Sequence, residues 1–189
     1  MYLAQLFIEN YRIFGREDEG KALSLTLNKG LNVIVGENDC GKTAIIDAIR
    51  HLLWTTSMDY NPITDDDFHV EGRNRATNLT ICACFSDLTP AIAGRFLEWL
   101  SVDGDNPCLY VTLEATRHED EPSTARRRNI SVTVRAGKKG DGKSIEGEIR
   151  EFLRTTYLKP LRDAESELAG GRGSRPVSYT HLRAHETVL

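Results

Sequence analysis

The apolar positions of the chain change period several times, and each change marks an element. Leu3, Leu6 and Ile8 sit among β-formers in "YLAQLFIENYRIFG", while "ALSLTL" (22–27) alternates apolar with polar, the period of a half-covered strand. "LNVIV" (31–35) predicts a third short strand. The period then switches to that of a helix in "KTAIIDAIRHLLW". Ile45, Ile46, Ile49, Leu52 and Leu53 share one stripe, and Asp47 and Arg50 fall on the other side, so this helix is expected to pack on a sheet.

Residues 55–77 are turn-rich and charged and read as a connector. "NLTICACF" and "CLYVTLEA" alternate as strands, and between them "PAIAGRFLEWL" opens on proline with Ile92, Phe96, Leu97 and Leu100 at helical spacing. The charged stretch "TRHEDEPSTARRRN" reads as a hairpin loop before the strand "ISVTVR". "GKKGDGK" is a further turn, after which Ser144 is placed to cap a helix carrying Ile145, Ile149, Phe152 and Leu153 in register. The pattern predicts an α/β fold with no internal repeat.

With 189 residues, 40% of them hydrophobic, the chain can bury one sizeable core, with room for a small second lobe. The 28 acidic and 24 basic residues give a net charge of −4, so overall charge does not advertise nucleic acid. Cys40, Cys82, Cys84 and Cys108 follow no disulfide framework, and the start of the chain has neither a basic leader nor a long apolar core. The apolar runs are too short to span a bilayer, and a cytoplasmic protein with no membrane segment is the expectation.

Between the third strand and the first helix lies Gly36-Glu37-Asn38-Asp39-Cys40-Gly41-Lys42-Thr43, a full match to G-x-x-x-x-G-K-[ST]. Glycines let backbone amides curl around phosphate oxygens, and the helix presents its positive end to the same anion. Lys42 would reach the β and γ phosphates, and the Thr43 hydroxyl would supply one ligand of an octahedral Mg²⁺ that keeps several waters. The cofactors expected from this motif are a nucleoside triphosphate and Mg²⁺, and ATP is the nucleotide that a family resemblance carried by the flanking residues implies. The plainer alternative is a glycine turn joining strand to helix, with Lys42 an ordinary surface charge.

A phosphate loop alone does not separate kinases, GTPases and ABC-type machines. Three stretches here resemble the amino-terminal part of an OLD-family (overcoming lysogenization defect) ATP-dependent endonuclease, a relative of the RecF and SMC class of ABC-type ATPases. "LAQLFIENYRIFG", with Asn10-Tyr11-Arg12, is similar to the opening strand and turn of that class, and "LNVIVGENDCGKTAIIDAIRHLL" to its phosphate loop and first helix. "YLKPLRDAESELAGGRGSR" (157–175) and "ITDDDF" (63–68) point to OLD proteins over their cousins. The resemblance implies an ABC-type ATPase head lobe over residues 1–175, with a mixed sheet around the first helix and a β-rich arm from about residue 78. It also implies ATP-governed association of two heads in a homodimer, action on DNA, and cleavage by a following Toprim domain. Arg12 would lie near the nucleotide or couple the lobes; an exposed arginine at a strand end is the alternative.

No Ser-Gly-Gly signature, no apolar strand ending in Asp-Glu and no Toprim motif occurs before residue 176. No catalytic residue is assigned, and these residues alone are not expected to hydrolyse ATP appreciably. "VSYTHLRAHET" (177–187) resembles the in-frame translation of a sequencing adapter, so residues 176–189 are expected to be a non-native tail. The spacing of His181 and His185, four apart, then carries no metal-binding meaning.

Two rival functions remain. A RecF/SMC-type ATPase would use ATP to clamp DNA without cutting it. A small phosphate-loop kinase would need lid arginines close behind the loop, where residues 55–115 offer a connector and strands instead. Cys82 and Cys84 share one strand face and read as core thiols, since no second pair completes a tetrahedral site. Asp65, Asp66 and Asp67 form either a solvated loop or a group near the nucleotide's metal. Glu119, Asp120 and Glu121 against Arg126, Arg127 and Arg128 read as a self-neutralising loop, although the arginines could also touch a phosphate backbone.

Overall fold

The computed structural model describes residues 1–53, 55, 62–103, 106–118, 130–145 and 147–157. The elements in order are β1 (Tyr2–Glu9), β2 (Leu23–Thr26), α1 (Lys42–Leu52), β3 (Val70–Glu71), β4 (Asn74–Arg75), β5 (Asn78–Ser86), α2 (Pro90–Arg95), β6 (Leu100–Asp103), β7 (Asn106–Arg117), β8 (Ile130–Ala136) and α3 (Gly147–Glu151).

Six strands form one sheet in the order β2-β1-β5-β7-β6, and β8 also pairs with β7. β7 is long enough to hold both on one edge: residues 106–109 face β6 and residues 111–117 face β8. Every pairing in this sheet is antiparallel, and among the described residues the parallel pairing is the isolated bridge Thr55–Thr155. The strands that begin at residue 78 join the first strand directly, through Leu6 opposite Ala83 and Ile8 opposite Ile81.

Strand alternation decides which side chains meet the helix. Leu6, Ile8, Ile81, Ala83, Phe85, Leu109, Val111 and Leu113 form a core with Ala44, Ile45, Ala48 and Leu52 of α1. On the opposite face Cys82, Cys84, Cys108 and Tyr110 make a second buried cluster against Phe7. The three thiols are therefore packing groups, and among the described residues no set of three or more His, Cys, Asp or Glu could hold a metal.

Several expectations need correction. Residues 31–35 are not a strand: Leu31, Val33 and Val35 are 90%, 73% and 83% exposed, and only Ile34 packs on the core. Apolar alternation favours a strand but cannot make one without a neighbouring ladder, and none of the described strands pairs with this segment. The stripe on α1 is narrower than predicted, since Ile46 is exposed and Ala44 and Ala48 take its place in the core.

α2 keeps its proline start, and the Thr89 hydroxyl accepts from the Ile92 amide at 3.4 Å, but the helix ends at Arg95. Phe96 then turns into the core, Leu97 is exposed, and Leu100 pairs with Leu109 as a strand residue. Ser144 bridges Arg135, and Ile145 donates to the Val134 carbonyl at 2.9 Å, so this stretch continues the sheet and the helix begins only at Gly147. The 55–77 connector contains a 3-10 turn at Asp65–Asp67 and the hairpin β3–β4. Residues 119–129, with both charge clusters, and residues 158–189, with His181, His185 and most of the 157–175 stretch, lie outside the described residues.

Candidate phosphate-binding site

Residues 36–40 are exposed and lead into α1 through two left-handed positions, Asp39 at φ 62° and Gly41 at φ 92°. Gly41 is the N-cap, and its carbonyl accepts the first helical bond, from Ile45 at 3.0 Å. No side chain caps this end, and no acidic residue stands in the first turn. The opening amides of the helix are thus left for an outside acceptor, and their aligned dipoles favour an anion.

Lys42 folds back over the same loop. Its Nζ donates to the Gly36 carbonyl at 2.9 Å and to the Glu37 carbonyl, and lies 3.7 Å from Cys40 Sγ. These are neutral partners, so the ammonium forms no ion pair in the contacts it makes with the glycine-bracketed turn. At Gly36 the packing is close and the backbone angle ordinary: a methyl there would sit 2.6 Å from Cys40 Sγ, which would have to turn aside.

Gly41 is required on both counts. Besides its positive φ, a methyl on it would lie 2.4 Å from Ile13 Cδ1 and 3.1 Å from Phe14 Cζ. The turn after β1 is therefore the floor on which the end of the phosphate loop rests. That turn is tight, with Asn10 at φ 55° and Arg12 at φ 49°, and its Phe14 amide donates to the Tyr11 carbonyl at 2.9 Å.

The same turn is stitched to residues 67–69. Arg12 N donates to the Asp67 carbonyl at 2.8 Å, His69 N donates to the Asn10 carbonyl at 2.9 Å, and His69 Nδ1 lies 2.6 Å from the Arg12 carbonyl. Tyr11 and Phe68 bridge across this seam, both buried.

The Arg12 side chain is held by two carboxylates. Its Nη1 donates to Asp47 Oδ2 at 2.7 Å and its Nε to Asp67 Oδ1 at 2.9 Å. Asp47 also takes Arg50 Nη1 at 2.9 Å, and the second Asp67 oxygen accepts the Thr64 amide at 2.9 Å and the Thr64 hydroxyl at 3.2 Å. His51 Nε2 stands 4.0 Å from that oxygen. Burial first, and then the Asp67 charge, push the Tyr11 phenol above its ordinary range.

Two of these residues hold Arg12, a part that the sequence reading gives to neither: Asp67 reads there, with Asp65 and Asp66, only as solvated or near a metal. Asp47 registers only as the polar side of the helix, yet that side is an ion-pair interface. Asp67 hides inside an acidic triplet, but Thr64-x-x-Asp67 has capping-box spacing, which singles it out from its neighbours. Asp66 pairs with Arg75 at 3.3 Å and Asp65 approaches Arg117 at 4.0 Å, both toward solvent.

The residues present fit a nucleotide carrying magnesium. The uncapped amides and Lys42 match phosphate oxygens, and Thr43 is exposed at the start of α1. Mg²⁺ bound mostly by phosphates and water needs no protein cage, only a hydroxyl of this kind.

A family model described as an AAA domain matches residues 5–166. A search of curated proteins finds no match. Among solved structures, one from work on "ATP-driven dimerization and DNA stimulated activation of SMC ATPases" aligns over 87% of this chain and 96% of that chain, with 15% identity and a TM-score of 0.44. No helix among the described residues is long and apolar enough to cross a membrane. With the family match spanning most of its length and a glycine-hinged loop opening on an uncapped helix, the chain belongs to the AAA domain family and has an α/β phosphate-loop ATPase fold.

Proposed function

We propose that the chain binds Mg·ATP through residues 36–43 as the ATPase part of an OLD-type endonuclease acting on DNA. The observation that carries the nucleotide reading is the α1 start, which has no capping side chain and no acid in its first turn, beside a lysine whose Nζ donates to loop carbonyls and approaches a thiol. Backbone amides of residues 37–43 hold the phosphates, Lys42 balances the charge toward the γ phosphate, and Thr43 is the protein's ligand to Mg²⁺. The metal supplies charge neutralisation when bound.

The OLD assignment rests on the sequence resemblance, and the "ITDDDF" segment that favours it is part of the site: Asp67 touches Arg12, and Phe68 touches Tyr11. In this reading residues 1–175 are the ATPase part, 176–189 a non-native tail, and the parent protein is a cytoplasmic homodimer of heads. A reading frame that continues past Arg175 into an acidic Toprim cluster supports cleavage. Coiled-coil heptads there would favour the clamping rival.

Calorimetry tests the nucleotide site. The chain is expected to bind Mg·ATP, and Lys42→Ala to abolish detectable binding; equal affinity in the two would contradict the assignment.

A further inference from the structure

Two nitrogens of the Arg12 guanidinium are engaged by carboxylates, Nε by Asp67 and Nη1 by Asp47, and this is informative about how the loop is held. The guanidinium fork spans two separate elements: Asp47 belongs to α1, the helix that the phosphate loop opens, and Asp67 closes the 3-10 turn. Of the three side chains, Asp67 is 7% exposed and Asp47 14%, against 31% for Arg12. A carboxylate so covered needs dedicated hydrogen-bond partners, and Asp67 has them on both oxygens: Arg12 on one and Thr64 on the other.

The backbone repeats the arrangement. Asp67 O accepts from the Arg12 amide at 2.8 Å, so the same residue fixes Arg12 by main chain and by side chain. Arg12 needs that restraint because its φ of 49° is costly for a residue with a side chain. The next two residues, Ile13 and Phe14, are those that leave no room for a methyl at Gly41. A chain of contact therefore runs from Thr64 through Asp67 and Arg12 to the glycine hinge of the phosphate loop, and a second runs from Arg12 through Asp47 to the body of α1.

We propose that Asp67, assisted by Asp47, is a positioning residue for the phosphate loop: by gripping Arg12 it fixes the 10–15 turn on which Gly41 is seated. This rests on the nucleotide-binding reading above. Arg12 then acts on the loop's shape, so its loss weakens every nucleotide that uses the loop, whatever the number of phosphates. A direct contact from Arg12 to the γ phosphate would instead distinguish ATP from ADP.

The test measures Mg·ATP and Mg·ADP affinity by calorimetry, and the alkylation rate of Cys40 without nucleotide, in the full chain and in Asp67→Asn and Arg12→Lys. Asp67→Asn keeps the shape but halves the ion pairing. Arg12→Lys keeps the charge and should fold even if the first variant is unstable, but a single ammonium cannot reproduce the fork. Positioning predicts that both variants lose about tenfold in affinity for ATP and ADP alike, with a changed Cys40 rate. Unchanged affinities with only a lowered melting temperature would overturn the proposal, and so would a loss confined to ATP. If the unaltered chain bound neither nucleotide, the nucleotide-binding reading would fall, and this inference with it.

Discussion

Residues 36–43 and residues 67–69 both touch the turn that follows β1, yet one is largely exposed backbone and the other a seam built on buried Asp67 and Phe68. The phosphate loop leads into a helix start with no capping side chain and no acid in its first turn, and its lysine donates to loop carbonyls. In the 67–69 segment the Asp67 carboxylate and the backbone are engaged and the Phe68 ring is packed, with Asp67 and Phe68 buried. The difference teaches a division of labour: a binding loop can leave hydrogen bonds unmade only if a neighbouring segment fixes its geometry by making all of its own.

Breaking the hinge between the two should have the largest effect. Gly41→Ala places a methyl against Ile13 and Phe14 at a φ of 92°, strain of about 1–3 kcal/mol. Thermal melting should show that loss, and Mg·ATP affinity should fall at least about tenfold with it. Normal affinity in a destabilised variant would mean that the turn supports the fold but not the loop.

A gentler probe sharpens the comparison without mutation. Of the four cysteines, Cys40 is exposed in the loop while Cys82, Cys84 and Cys108 are buried on the far face of the sheet. Burial pushes the Cys82 thiol up, away from the reactive thiolate. Thiol titration of the folded chain should therefore show one fast group, slowed by Mg·ATP, and the remaining three only on unfolding. More than one fast thiol would contradict the packing of the outer sheet face.

Much of this architecture was legible in residue order. The strand period in 78–86 and 106–117 and the helical stripe through Ile45 and Leu52 are local patterns, and each element formed where its pattern lay. The loop that leads into α1 was legible for the same reason, because Gly41 ends it locally, at a positive φ and as the N-cap of the helix. What residue order could not show was pairing. Leu31, Val33 and Val35 carry the alternation of a strand, but a strand exists only with a neighbour, and neighbours are set by the whole sheet. Leu100 reads as the end of a helix until Leu109 claims it.

The same limit hid the role of Asp67. An acidic triplet looks solvated, and nothing nearby in sequence reveals that Arg12, 55 positions away, will bury one of the three. Only the Thr64-to-Asp67 spacing gave a local hint.

The most direct measurement follows the backbone amides of the ¹⁵N-labelled chain by NMR as Mg·ATP is added. The largest shifts should fall on residues 36–44, with smaller ones in the 10–15 turn and at Asp67. Shifts confined to the outer sheet face around Cys84 and Tyr110, or none at saturating nucleotide, would contradict an amide cradle at the start of α1.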